Sequence, residues 1–293
     1  MPARRDNPTA RVTSNVLYLI CTVASFVIVG VLILITGYLV SIGISSISLD
    51  FFTRVATGDP NDPGGMKHAI VGTLMLLGMA SLVGVPVGIL AGVYLSEYAD
   101  DSGRLNSAVR FTADVLSGLP SIVVGIVGYE LLVVPMNRLF DIKYSGYAGA
   151  AALAFIMVPI VARTTEEMLR LVPGSYREGS LGLGATKAQT ILRVILPAAT
   201  GSVITGVMLA LARVAGETAP LLFTALGSRF LTMDPSQPFP SLTAQIYTYA
   251  TGPYEKEKQM AWGGMLVLIA ILFVLNMLIR YVAHRSVRKF QVS

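Results

Sequence analysis

The sequence predicts an all-α membrane protein that crosses its bilayer about six times. Hydrophobic residues make up 54% of the 293 positions and charged residues 13%. A soluble domain carries about 25% charged residues, so this chain has too little charge to cover a water-facing surface. Apolar runs of about 20 residues, the length a membrane helix needs, recur along the chain. These runs are solidly apolar and lack the alternation of barrel strands. Lipid offers no partner for an open backbone, so each run should be a helix.

In chain order the spans are Val16–Ile42, Ala69–Leu95, Val115–Met136, Tyr144–Ala162, Pro197–Leu226 and Met260–Tyr281. The first follows Arg4, Arg5 and Arg11, yet no charge appears from Val12 to Leu49. That is far longer than the core of a cleaved signal, so the segment reads as a retained span. In the second, Gly84, Gly88 and Gly92 flank Pro86 and recur every fourth residue. This leaves one helix face without side chains, and another helix can approach it closely. Glu130, near the end of the third span, reads as structural. Two loops on one side are sizeable. Ile44–Lys67 holds the turn-forming stretch from Gly58 to Gly65, and Gly227–Gln259 holds Pro235, Pro238 and Pro240 before Tyr247-Thr248-Tyr249. Either is a solvated connector or a docking surface.

Six spans put both termini on one side. Of the 22 Lys and Arg residues, fourteen fall on that side, seven on the other, and Arg213 lies within a span. Basic residues concentrate in cytoplasmic loops, so both termini are expected in the cytoplasm. The net charge of +5 then reflects topology, not nucleic-acid binding. Cys21 is the only cysteine, which rules out an intrachain disulfide and reads as a packing residue. His68 and His284 are too few and too far apart for a metal site.

The stretch from Arg163 to Arg193 is the longest loop on the terminal side. Residues 164–172 have helical spacing, and Pro173-Gly174 stops them. Ser175 and Glu178 match a capping box for a second helix, which breaks at Gly182-Leu183-Gly184. Within it, Glu178-Gly179-Ser180 is followed after three residues by Gly184, then after nine by Val194, then by Leu196-Pro197. This resembles the EAA loop of ABC importer permeases. The glutamate, glycine, leucine and proline keep their spacing. Gly179 and Ser180 stand where that family usually has alanines, and Val194 where it has isoleucine. Gly184 suits a sharp turn after a helix and Pro197 the first turn of the next.

The fifth span carries Arg213-Val214-Ala215-Gly216-Glu217-Thr218-Ala219-Pro220. An arginine at the centre of a membrane helix costs about 2.5–3.5 kcal/mol on insertion scales, so it must face protein or water. Counting about 1.5 Å per residue, it lies roughly 24 Å along the helix from Pro197. Arg213 and Glu217 are four apart and would pair on one helix face, while Gly216 and Pro220 weaken or break the helix. This segment, and Ser117-Gly118-Leu119-Pro120-Ser121-Ile122-Val123-Val124-Gly125, resemble the phosphate-specific permeases, the A-type in particular. Sulfate and molybdate permeases share the Gly-Glu but continue differently.

The resemblance spans roughly residues 66–290. It implies a type I importer fold, with residues 69–293 as permease core, a coupling loop over 163–196, and residues 1–68 as tail, first helix and outer loop. Glu178, Gly179, Ser180, Gly184, Ala185 and Thr186 would contact an ATPase, and Arg213, Glu217 and Thr218 would line the anion path. The implied partners are a second, C-type permease, two copies of a P-loop ATPase holding ATP and Mg, and an extracytoplasmic phosphate-binding protein. No cofactor is expected in this chain itself. The segment from Gly179 to Gly184 has P-loop glycine spacing but is followed by Ala185 where lysine is required, and no lysine precedes a serine or threonine. Another oxyanion as cargo, or a scaffold that reports phosphate status, are the alternatives.

Overall fold

A computed structural model describes residues 8–99 and 103–290, with the side chains of 8–12, 105 and 282–290 left aside. Arg4 and Arg5 lie outside the described residues, as do the side chains of Arg11, His284, Arg285, Arg288 and Lys289. Among the described residues six helices are long and apolar enough to cross a membrane: 13–46, 67–98, 121–140, 146–170, 187–215 and 255–281.

Helix α1 (Pro8–Gly43) is followed by the short α2 (Leu49–Thr53) and a hairpin of β1 (Ala56–Asp59) and β2 (Asp62–Gly64). The Gly58–Gly65 stretch thus forms a real turn. Asp59 Oδ1 accepts from the Asn61 amide at 2.8 Å, and Arg54 bridges to Asp62 at 2.7 Å. Helix α3 (Lys67–Val93) ends in a wide π-turn over Tyr94–Tyr98. Helices α4 (Arg104–Gly118), α5 (Ser121–Gly128) and α6 (Val134–Phe140) follow, and α7 (Gly146–Arg170) lies at the centre of the molecule.

The third span differs from the expected Val115–Met136. Its apolar run is cut at Leu119-Pro120, where Leu119 takes an extended conformation (ψ 136°). The ring of a proline excludes its predecessor from the helical region. Val115–Gly118 therefore end the amphipathic α4, and the span starts at Ser121.

Two further π-turns sit just before prolines, Tyr129–Val133 ahead of Pro135 and Ile191–Ile195 ahead of Pro197. A proline inside a helix clashes with the carbonyl four residues back and leaves it unbonded. A locally widened turn moves that carbonyl aside. The fifth span thus starts at Lys187, ten residues before the expected Pro197, and passes through the wide turn without stopping.

Helices α8 (Gly174–Gly182) and α9 (Lys187–Thr190) form the loop on the terminal side. Then come α10 (Leu196–Ala215), α11 (Ala219–Thr224), α12 (Leu242–Thr251) and α13 (Glu255–Phe290). The loop between α11 and α13 is more than a connector, because α12 buries Leu242, Ile246 and Tyr249 against α3 and α13. Its first amide, Leu242 N–H, donates to Thr73 Oγ1 of α3 at 2.7 Å.

The core is the seam between α3 and α7. A Cβ added at Gly84 would lie 3.2 Å from Met157 Cβ, at Gly88 2.6 Å from Val161 Cβ, and at Gly92 2.5 Å from Thr165 Cβ. The three glycines thus meet α7 at every fourth residue, as their spacing predicts. Cys21 is exposed on α1, which leans on α13 through Gly43 against Trp262 and a Tyr38–Trp262 edge contact. Gly88→Leu should destabilise the purified protein by about 1–3 kcal/mol, the usual cost of overpacking. The matched control Gly78→Leu, where a Cβ meets nothing within 4 Å, should leave the unfolding midpoint in detergent unchanged.

Candidate functional site

The terminal-side loop is built from three local rules. Helix α7 runs unbroken out of its apolar segment to Arg170, and Pro173 launches α8 with an extended ψ of 141°. The expected capping box at Ser175 and Glu178 does not form, because α8 already begins at Gly174 and Ser175 lies inside its first turn. Helix α8 ends in a Schellman motif. The Ala185 amide donates to Ser180 O at 3.2 Å, the Gly184 amide to Leu181 O at 2.9 Å, and Gly184 takes φ +85°. This left-handed geometry is where glycine costs least. The capping box lies instead at Thr186 and Gln189, whose side chains each receive the other's backbone amide.

The result is a knob. Glu178, Gly179, Gly184 and Thr186 are exposed, Ser180 and Ala185 half-buried, and Leu183 at the tip is 91% exposed. Helix α8 buries no residue at all. It is held by polar contacts, the largest from Arg177, which sequence reasoning passed over. The Arg177 guanidinium donates from Nε (3.1 Å) and Nη2 (2.6 Å) to the two carboxylate oxygens of Glu97, from Nη1 to Val172 O (2.7 Å) and from Nη2 to Leu169 O (2.9 Å). The Glu97 carboxylate beside it raises the Arg177 pKa above its ordinary value. Lys187 Nζ lies 4.8 Å from the Tyr98 ring centre, and Ser180 Oγ meets Thr190 Oγ1 at 2.9 Å. Close by, the buried Glu166 carboxylate is met by Arg110 (2.9 Å), Arg163 (3.3 Å) and Arg170 (3.1 Å). The cue for Arg177 was a basic residue directly before Glu178, but its partner lies 80 positions away, beyond any local pattern.

The second cluster is the break in the fifth span. Helix α10 ends at Ala215, Gly216 and Glu217 close the last turn, and α11 restarts at Ala219 with Pro220 in its first turn. The gap is spanned from α12, where Thr243 Oγ1 donates to Glu217 O at 2.8 Å. Glu217 is 9% exposed, Thr218 half-buried and Arg213 exposed. Arg213 and Glu217 do not pair among the described residues. The four-residue spacing brings side chains together only along a continuous helix, and this one stops between them. Glu130 is exposed in its π-turn and meets no polar partner among the described residues.

Arg213 instead lines a small cavity with Ser117, Leu119 and Ser121 from the α4–α5 junction and Ile156 and Ile160 from α7. The same junction touches the break from its other end, since a Cβ on Gly125 would lie 3.1 Å from Ala219 O and 3.2 Å from Pro220 Cα. The two motifs singled out in the sequence, 117–125 and 213–220, therefore adjoin in space. The wall they share carries one guanidinium and two hydroxyls in otherwise apolar surroundings.

Comparison with known proteins agrees with this architecture. The family model described as binding-protein-dependent transport system inner membrane component matches residues 84–291. A protein of Haemophilus influenzae named phosphate transport system permease protein PstA is 41% identical over 242 residues, covering 83% of each chain. The protein of that name from Yersinia pestis is 39% identical over 284 residues, 96% of this chain and 94% of its own. Among solved structures, a bacterial ABC transporter that imports the acidic polysaccharide alginate superposes with a TM-score of 0.65 over 94% of this chain and 99% of its own at 14% identity. The same fold occurs in the MetNI methionine ABC transporter, with a TM-score of 0.54 over 76% of this chain and 93% of that one at 20% identity. The chain belongs to the family of inner-membrane components of binding-protein-dependent transport systems.

Proposed function

We propose that this chain is a permease subunit of an ATP-driven phosphate importer in the cytoplasmic membrane, with both termini in the cytoplasm. The observation that carries the cargo is Arg213. It is a permanent planar cation in an apolar helix, beside Ser117 and Ser121 and next to a helix break. A guanidinium presents a fork of donors that matches the oxygens of a tetrahedral oxyanion and stays charged throughout. The relatives named as phosphate permeases, at 39–41% identity over most of their length, support phosphate over sulfate or molybdate.

Arg213 is exposed in the single chain although its helix is otherwise apolar. A bare guanidinium facing hydrocarbon is costly, so this face is best covered by a second, C-type permease, with the anion path between the two. Glu217 and Thr218 lie at the break and would border that path. On the cytoplasmic side the knob of α8 fits a groove of an ATPase, with Glu178, Gly179, Ser180, Gly184, Ala185 and Thr186 as its contact residues. Two copies of that P-loop ATPase would bind ATP and Mg. An extracytoplasmic phosphate-binding protein would deliver cargo to the side of the β1–β2 hairpin and the 227–241 loop. ATP-driven closure of the ATPases would then move the knobs and tilt the spans, exposing the site to each side in turn.

Uptake, ATP hydrolysis and labelling test the proposal. Arg213→Ala should assemble with its partners yet lose radiolabelled phosphate uptake in proteoliposomes, and Arg213→Lys should recover only part, since a point charge lacks the fork. Because Arg213 and Glu217 are unpaired, Arg213→Ala with Glu217→Ala should stay inactive; restored uptake would sink the pathway role. Gly184→Trp should remain in the membrane but lose ATP hydrolysis stimulated by the loaded binding protein, as a side chain at φ +85° deforms the knob. Single cysteines placed at exposed positions within 44–67 and 227–259 on a Cys21→Ser background should react with an impermeant reagent from outside, and those within 171–186 should not. The reverse pattern would overturn the orientation.

A further inference from the structure

We infer that Arg177 is a positioning residue that makes the cytoplasmic ends of α3, α7 and α8 one mechanical unit, so that force on α8 reaches α3 directly; this rests on the coupling reading of α8. Helix α8 buries no residue, so packing does not fix it to the bundle. Ser180 ties it to Thr190 at 2.9 Å, and its attachment to α3 and α7 is the guanidinium of Arg177. Two of its bonds reach Glu97 at the end of α3, and two reach carbonyls at the end of α7, Leu169 and Val172.

These four bonds engage all three nitrogens of the guanidinium. Glu97 has a side chain only 6% exposed and Arg177 one 26% exposed, so neither is a freely solvated surface ion. Removing one member of a buried pair leaves the other charge stranded, which is far more costly than losing an exposed bridge. A second tie runs parallel, with the Lys187 ammonium over the Tyr98 ring, one residue beyond Glu97. A third holds the same turn of α3, where Arg110 Nη2 donates to Leu95 O at 3.3 Å.

The helix ends are thus knitted by polar contacts, while the α3–α7 seam above them is held by apolar packing alone, through Gly84, Gly88 and Gly92 and, further along, Leu76 against Gly149. A push on α8 moves α3 with it. Relative motion of α3 against α7 must open away from this end.

The complete complex, with partner permease, ATPase subunits and loaded binding protein, is reconstituted in proteoliposomes, and phosphate uptake and ATP hydrolysis are measured together. Arg177→Gln should leave the ATPase co-purifying and hydrolysing ATP while phosphate moved per ATP falls severalfold. Glu97→Gln should shift the ratio the same way, and Arg177→Lys should fall between, because an ammonium cannot make all four bonds. An unchanged ratio in Arg177→Gln overturns the inference. So does a parallel loss of uptake and hydrolysis, or loss of the ATPase from the complex, which would make Arg177 a docking residue. Leu183→Cys on the Cys21→Ser background, cross-linked to a cysteine in the ATPase groove, tests the coupling reading separately. No cross-link sinks that reading, whereas a cross-link with an unchanged ratio sinks only the role of Arg177.

Discussion

Two helices in hydrocarbon gain little from excluding lipid, because lipid tails are as apolar as their own side chains. Their contact must come from close approach, and the α3–α7 seam supplies it through Gly84, Gly88 and Gly92. Helices α10, α11 and α5 join α7 by the same device. Gly206 of α10 meets Thr164, Gly149 of α7 itself meets Ala225 and Leu221, and Gly128 of α5 meets Ala152. Small residues at each crossing let backbones come within reach of many weak dispersion contacts, each worth about 0.1–0.2 kcal/mol. Helix α7 is accordingly the most buried of the six spans, and the elements that carry Arg213, Gly125 and Pro220 are placed by how they sit on it.

The same close packing explains where polar groups are tolerated. The helix break at Gly216–Thr218 would leave backbone groups without partners in lipid. It is instead bonded from α12 through Thr243, and α12 is in turn fastened to α3 through Thr73. The loop after α11 is therefore part of what supports the break. At the opposite end, Glu166 and Glu97 are buried carboxylates, each matched by guanidinium groups at hydrogen-bonding distance. Between these two ends, the α3–α7 seam is apolar or small.

Most of the fold was legible because its signals are local. Span number, the close approach along Gly84–Gly92, the break near Gly216 and the turn at Gly184 each follow from composition or from a residue's own backbone preference. The misreadings came from competition between signals. Apolar continuity suggested one helix through Leu119, but Pro120 decided the boundary. The Ser175–Glu178 spacing suggested a cap, but Pro173 started the helix earlier. The four-residue spacing of Arg213 and Glu217 suggested a pair, but the same glycine that breaks the helix separates them. Arg177–Glu97 and Glu217–Thr243 were illegible because they join residues 80 and 26 positions apart, and one sequence holds no record of which distant residues meet.

The wide turn over Ile191–Ile195 does more than accommodate Pro197. A π-turn contains one residue more than an α-turn, and each residue of an α-helix advances the azimuth by about 100°. Everything on α10 beyond the wide turn is therefore rotated by about that angle relative to an uninterrupted helix starting at Lys187. The compass bearing of Arg213, and with it the wall on which an anion would find a cation, is set near the start of the same rod, beside the knob of α8. A lesion that removed one residue from 191–195 would leave every side chain on α10 chemically intact and point the guanidinium at the wrong neighbour.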